Sequence, residues 1–486
     1  MYVNPLTSID FYKADHRRQY PKGTSLVYSN FTPRSNKLSN LPNNNDHIVF
    51  FGLQYFIKYF LEDCFAQGFF SQAKKDVVKA YKRRMDNALG KDAIPVDHIE
   101  ALHDLGYLPI EIRALPEGSK VDMRVPCVTI HNTKPEFYWL VNYLETILSS
   151  FLWKSCVSAT TAAWYRNLFD KYCKETGGDN TFVPFQGHDF SFRGMSGVQD
   201  AALSGAGHLL SFVGTDTVPA IDFMEQYYNA NSDQMLVGCS VPATEHSVMC
   251  MGSEKGEYET FKRLVTELYP KGIVSIVSDT WDFWNVLTDY LPKLKEVIMA
   301  REGKVVIRPD SGDPVKIICG DPDAMKDTPT YHGAVETLWR TFGGTVNAKG
   351  FKLLDPHIGI IYGDSITPER AETILAKLKE KGFASTNIVF GIGSFTYNFV
   401  TRDTYGFAVK ATYGEVNGVG RDIFKQPKTD DGTKNSARGI LAVRKGKLYD
   451  KQNSLDVESD LKTVFVDGVL KVDENLSTIR KRLKGE

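Results

Sequence analysis

The residues best suited to chemistry fall in short motifs, each closing an apolar run: HDFSFRG at 188–194, GTDT at 214–217, TEHS at 244–247, SDTWD at 278–282, RPDSGDP at 308–314, YGDS at 362–365 and GIGS at 391–394. Their carboxylates, Asp189, Asp216, Glu245, Asp279, Asp310 and Asp364, would repel one another strongly if gathered unpaired, so counter-cations are expected. Arg193 and Arg308 lie within the same motifs, and Mg²⁺ suits such a place because it prefers oxygen ligands and is commonly held by carboxylates and substrate phosphates. The combination points to a phosphorylated substrate; for any single acid–arginine pair, the alternative is a contact that only pins a loop. His246 follows Glu245, and an imidazole with one nitrogen held by a carboxylate can act as base or nucleophile, although taken alone it reads better as a plain structural histidine. Phe190, between charged neighbours, offers either a stacking face for a flat heterocycle or a plug between strand and helix. Arg34, Lys37, Arg402, Lys410 and Lys425 are basic candidates, to be read as solvated surface charge unless the fold brings them to the motifs.

The elements that must position these residues follow a βα rhythm. Between about 180 and 395, short apolar runs such as GIVSIVS, KVVIR, HIGIIY and NIVFG alternate with helical patterns such as YETFKRLVTELY and PERAETILAKLKEKG. From Asp189 through Asp216, Glu245, Asp279, Asp310 and Asp364 to Gly391 the spacings are 27, 29, 34, 31, 54 and 27 residues, each close to one βα unit except for a single insertion. An irregular parallel α/β barrel accounts for this spacing economically, and in such a barrel the strand tips converge on one mouth. The acidic marks are therefore expected to share one pocket; helix capping is the competing explanation for any one of them. Before this region lie a strand-like run at 24–31, a helical run from 50 and a long helix marked by Leu140, Leu144, Ile147, Leu148 and Phe151. After 400 come the β-like runs GFAVKATYGE, GILAVRKGKLYD and TVFVDGVLKV and a basic final helix. The expected organisation is thus a barrel over 151–395 and an additional α+β domain formed from 1–150 together with 396–486.

At 486 residues, with 58 basic against 59 acidic side chains, the chain is too long for a small binding module and has no overall field favouring nucleic acid or an anionic membrane. Seven scattered cysteines without a CxxC pair suit a reducing compartment. The start of the sequence does not read as a secretory signal, and Asn142, Glu145 and Lys154 interrupt the longest greasy stretch. A cytoplasmic protein without nucleic-acid or membrane partners is expected. Neither GxxxxGK[ST] nor a strand-GxGxxG-helix fingerprint is present.

DFYKADHRRQYP, HDFSFRGMSG, GTDTV, VPATEHS, VSDTWDFWN, IRPDSGDP, YGDS, TRD and IFKQP occur in that order, and on these motifs the sequence resembles the nicotinamide phosphoribosyltransferase family over nearly its whole length. The resemblance implies formation of nicotinamide mononucleotide from nicotinamide and phosphoribosyl pyrophosphate with Mg²⁺. It also implies a homodimer with shared active sites and coupling to ATP hydrolysis through a phosphohistidine. Carried over by motif, Phe190 and the partner subunit's Tyr12 would sandwich the pyridine ring, Asp216 would accept the carboxamide N–H, and Arg193 would face the ring or its amide oxygen. Asp279, Arg308 and Asp310 would hold ribose, phosphate and Mg²⁺, the metal resting on Asp279 and Asp310. Gly363, Asp364, Gly391 and Gly393 would approach the ribose and its 5′-phosphate. His246 would be the phosphorylated histidine, with Glu245 beside it and Arg34, Arg402, Lys410 and Lys425 around phosphate or pyrophosphate. Ser394 and Phe395 depart from a richer glycine run in the family. The alternatives are a nicotinate phosphoribosyltransferase, which the Asp216 carboxylate argues against, a non-catalytic metabolite-binding protein, and a metal-dependent barrel hydrolase, which would want a histidine-rich cluster.

Overall fold

A computed structural model of the chain describes residues 3–42, 45–363, 366–425 and 437–486. The chain divides into two units, one comprising Met1–Thr160, Phe223–Asn231 and Val400–Glu486, the other Thr161–Asp222 and Ser232–Phe399. Against the expected barrel of 151–395, the second unit begins at Thr161 and ends at Phe399. The segment 223–231, expected within the barrel domain, belongs to the first unit, where Phe223 packs on Tyr55 and Tyr228 on Phe51.

The second unit is built on six parallel strands in the order Gly214–Thr215, Gly187–Asp189, Ile388–Ile392, Ile358–Tyr362, Val305–Arg308 and Val274–Val277. Isolated parallel bridges join Gly214 to Cys239 and Ala243 to Ser275. The stretch from 239 to 243 therefore links the two edge strands and completes an irregular α/β barrel. Strands of a parallel sheet with little face in solvent carry mostly apolar sequence, which is why the runs VSIV, VVIR and IGIIY are legible. Ile276, Ile307 and Phe390 belong to the buried core, whereas Ser275, Val306, Gly359, Ile361 and Val389, alternate along the same strands, line a cavity of about 610 Å³. A parallel barrel normally fills its centre with branched side chains; here Ser275 and Gly359 contribute almost none. The long interval between Asp310 and Asp364 holds the helices Pro314–Cys319, Pro329–His332 and Ala334–Phe342 and the hairpin Gly344–Val346 with Lys352–Leu354.

The first unit carries an antiparallel seven-stranded sheet in the order Val419–Asp422, Ala408–Val416, Thr24–Thr32, Val128–Asn132, Ile110–Ala114, Lys462–Val466 and Val469–Leu470. Thr24–Thr32 pairs with Ala408–Val416 on one side and Val128–Asn132 on the other, so the N- and C-terminal segments form one layer. Buried Glu117 anchors the helix that starts at Leu53: it accepts the N–H groups of Gly52 and Gln54 at 2.7 and 2.6 Å and the Tyr228 hydroxyl at 2.9 Å. Burial, only partly offset by these donors, pushes its carboxyl up to about 7. Among the described residues no helix is long and apolar enough to cross a membrane.

Candidate active site

The barrel mouth is assembled from strand ends. His188 and Gly214 are register partners on adjacent strands, and Asp216 follows one of them. Its carboxylate Oδ1 takes two donors, His188 Nε2 at 2.9 Å and the Ser240 hydroxyl at 2.5 Å. Desolvation acts to raise the Asp216 pKa, but His188, Ser240 and the nearby Arg308 outweigh it and hold the carboxyl below its ordinary value. The group is anionic at neutral pH.

Beside it, the Phe190 ring lies 4.6 Å from the His188 ring, tilted by 41°, with the Arg308 guanidinium 5.9 Å from its centroid. Gly391 makes room for that ring: a Cβ there would come within 2.7 Å of Phe190 Cδ2. Asp216, Phe190 and Arg308 all line the barrel cavity, which continues to Lys304, at the opposite end of the strand that Arg308 closes.

The acidic part of the mouth centres on Asp279. Its Oδ2 accepts the Asp310 N–H at 2.9 Å and the Ser311 hydroxyl at 2.6 Å, and Arg308 Nη2 stands 3.4 Å from Asp310 Oδ2. The loop carrying Asp310 is tied down by the Tyr362 hydroxyl, which donates to the carbonyls of Ser311 and Gly312. Asp279 Oδ1 is buried without a hydrogen-bond partner among the described residues; His246 Nε2 lies 3.9 Å away, and the His246 side chain is 49% exposed against 5% for Asp279. His246 Nδ1 reaches Thr280 Oγ1 at a long 3.4 Å. Glu245, read as the partner of His246, instead accepts the Ser247 hydroxyl, and the carboxylate facing the imidazole is that of Asp279.

Gly363 packs against this group so closely that a Cβ would fall 2.0 Å from Asp310 Oδ1. A Cβ at Gly393 would meet nothing within 4 Å, so the turn after Ile388–Ile392 is open to a ligand. Ser394 sits over Gly194, and Phe395 turns outward, 60% exposed and stacked on Phe399 at 5.0 Å. Phe395 does not come within 4 Å of a Cβ built at Gly393. Arg193 is exposed on the turn Phe192–Gly194. Asp364 lies outside the described residues. Asp189 does not join the mouth: it is fully buried, accepts the Ser191 N–H at 2.9 Å and pins its own turn.

In the first unit, Arg34 and Lys410 line one cavity of about 170 Å³ with Asn30, Thr32, Arg124 and Thr412. Arg34 donates to the Gly406 carbonyl at 2.7 Å, and burial, reinforced by Arg402, lowers its pKa. Arg402 pairs with Asp403 at 3.1 Å, and Lys425 is exposed. Tyr12 is 61% exposed on the turn Phe11–Asp15.

Sequence reasoning missed three residues here. His188 stood inside a quoted motif, but only its register with Gly214 reveals its role. Ser240 lay in a stretch without strand signal, and Arg124, which holds a left-handed φ of 70°, carried no signal at all.

A family model described as "Nicotinate phosphoribosyltransferase (NAPRTase) family" matches residues 185–469, and one described as "Nicotinamide phosphoribosyltransferase, N-terminal domain" matches residues 4–112. The chain is 60% identical to a nicotinamide phosphoribosyltransferase of Acinetobacter baylyi over 99% of its own length and 97% of the relative's. It is 35% identical to one of Mycoplasma pneumoniae, covering 90% and 95% of the two chains, and 32% identical to one of Xanthomonas campestris, covering 98% and 97%. Crystal structures of a nicotinate-nucleotide pyrophosphorylase from Pyrococcus furiosus and of human nicotinic acid phosphoribosyltransferase share the fold. Their TM-scores are 0.56 and 0.51 at 14% and 17% identity, covering 100% and 98% of this chain and 97% and 92% of theirs. The chain belongs to the nicotinamide phosphoribosyltransferase family.

Proposed function

We propose that the chain transfers phosphoribosyl from phosphoribosyl pyrophosphate to nicotinamide, giving nicotinamide mononucleotide and pyrophosphate in NAD salvage. One observation carries the choice of base: an ionised Asp216 carboxylate, held by His188 and Ser240 beside the Phe190 ring. An acceptor-only group suits the N–H of a carboxamide and repels the carboxylate of nicotinate.

In the reaction the pyridine nitrogen bonds to C1 of the ribose as the C1–O bond to pyrophosphate breaks, through an oxocarbenium-like state. The ring lone pair is free, so no general base is required. Phe190 aligns the ring against the sugar, and Arg193 faces the ring or its amide oxygen. Asp279 and Asp310 take the ribose hydroxyls, and Arg308, with the backbone at Gly363, Asp364, Gly391 and Gly393, takes phosphate. The same two carboxylates fit Mg²⁺. Asp279 keeps a buried oxygen without a hydrogen-bond partner among the described residues, and an ion that retains waters and phosphate ligands needs only one or two protein carboxylates. When bound, the ion offsets negative charge on the leaving pyrophosphate.

His246 attacks the γ-phosphoryl group of ATP, giving ADP and phosphohistidine, which water then cleaves to phosphate. Asp279 supports that imidazole, and its half-exposed position supports access. Glu245, which accepts the Ser247 hydroxyl, holds the turn carrying His246. Arg34, Arg402, Lys410 and Lys425 take phosphate or pyrophosphate, and the exposed Tyr12 completes the ring slot of a second copy in a homodimer. The free thiols, five of them buried, suit a reducing, cytoplasmic setting.

The test is a coupled assay of purified protein with phosphoribosyl pyrophosphate, Mg²⁺ and either base, with and without ATP. Pyrophosphate release with nicotinamide and little with nicotinate is expected; a preference for nicotinate, or no pyrophosphate release, overturns the reading. Asp216→Asn should impair nicotinamide use far more than phosphoribosyl pyrophosphate binding, and equal losses would remove Asp216 from the base site.

A further inference from the structure

Asp216 is flanked on both sides. The strand Gly187–Asp189 lies on one side of Gly214–Thr215, and the barrel-closing stretch bridged at Cys239 lies on the other. His188 and Ser240 come from these two neighbours, and both reach the same oxygen of the carboxylate, Oδ1. An ionised carboxylate only accepts, so His188 presents Nε2–H and Ser240 its O–H. The imidazole lies across Gly214, where a Cβ would stand 2.9 Å from its Nδ1; a glycine is what lets the ring reach. His188, Asp216 and Ser240 all line the barrel cavity.

We propose that His188 and Ser240 are positioning residues that set the choice of amide over acid: by loading Oδ1 from both sides they leave Oδ2 of this half-exposed carboxylate to the substituent on the pyridine ring. That oxygen takes one N–H of a carboxamide and repels a carboxylate. Without the two donors the carboxylate is free to swivel, and an acid that then acquires a proton donates to nicotinate as readily as it accepts from nicotinamide. The inference rests on the assignment of the base site to Asp216.

The experiment compares steady-state kinetics of the full-length wild type, His188→Ala, His188→Gln and Ser240→Ala with nicotinamide, nicotinate and phosphoribosyl pyrophosphate, alongside thermal unfolding of each. A hydrogen bond to a charged group is worth about tenfold or more in binding. His188→Ala should therefore raise the KM for nicotinamide by about tenfold or more, leave that for phosphoribosyl pyrophosphate within about twofold, and narrow the nicotinamide-to-nicotinate ratio of kcat/KM by about tenfold. Ser240→Ala, which removes the other donor to the same carboxylate, should act in the same direction at about tenfold. His188→Gln, which restores an N–H donor, should recover part of the selectivity. An unchanged base ratio in a folded His188→Ala enzyme overturns the inference, as does an equal rise in both KM values. Asp216→Ala separates the two levels of the claim. If it cripples nicotinamide use while His188→Ala does not, only the inference falls; if it leaves nicotinamide use intact, the base-site reading falls as well.

Discussion

The two halves of the barrel mouth are held very differently. On the base side, Asp216 is fixed by two short hydrogen bonds to one oxygen, and a glycine at 391 seats the Phe190 ring. On the phosphate side, His246 has, among the described residues, a 3.4 Å contact to Thr280 and a 3.9 Å approach to Asp279, with half its side chain in solvent. A flat, rigid ring is best recognised by groups already in place, since any ordering on binding costs affinity. In the proposed phosphohistidine step, an imidazole that accepts a phosphoryl group and releases it gains from being free to turn. The contrast teaches that the proposed base recognition and ATP coupling would place opposite mechanical requirements on neighbouring strand ends.

The contrast can be broken from the phosphate side first. Asp279 orders the Asp310 loop through its Oδ2, so Asp279→Asn should lower kcat about a thousandfold, the scale of losing a preorganised electrostatic group, with the preference between bases unchanged. Steady-state assays with both bases check this, and a shift in base preference would mean that the halves are not separate. Next in size, His246→Ala should abolish ATP enhancement, an effect of about tenfold by the ordinary scale of coupling between ligands, yet leave slow ATP-independent transfer. Measuring product formation with and without ATP decides it, and loss of the basal reaction would contradict it.

From the base side, Gly391→Ala should push the Phe190 ring aside and raise the nicotinamide KM about fivefold, in keeping with the cost of overpacking. The expected ATP enhancement is that of the wild type, and a normal nicotinamide KM would show that the ring tolerates the methyl group. Glu117→Gln, in the first unit, should affect neither half. Burial raises the Glu117 carboxyl from 4.5 to about 7, so its contribution is full below about pH 4.5 and lost as pH rises through about 7, up to about 3 kcal/mol. Denaturant titrations between pH 4 and 8 should therefore show a flatter stability profile for the variant, with wild-type base selectivity.

Much of the barrel was legible because its strands bury one face in the core and turn the other to the cavity, and so carry short, mostly apolar runs, each with a polar tip. The helices Pro368–Glu380 and Glu257–Arg263 announce themselves by helical spacing. What sequence could not supply was direction. Asp189 and Asp216 both close strands in similar motifs, yet one turns inward to pin its own turn and the other faces the cavity; only the pairing of neighbouring strands decides. The same limit hid the link between His246 and Asp279, 33 positions apart (279 − 246), behind the adjacent Glu245. Residues 223–231 were misassigned because their aromatic side chains answer to Phe51 and Tyr55, far away in the chain.

The stretch from 239 to 243 is fastened to each neighbour by a single isolated bridge, whereas the other staves share two to four register pairs. Like the last plank in a cask, it closes the hoop with fewer register pairs than the staves around it. Ser240 rides on that plank and His246 stands just past its end, so the segment that closes the barrel carries a contact of one half of the mouth and leads into a contact of the other.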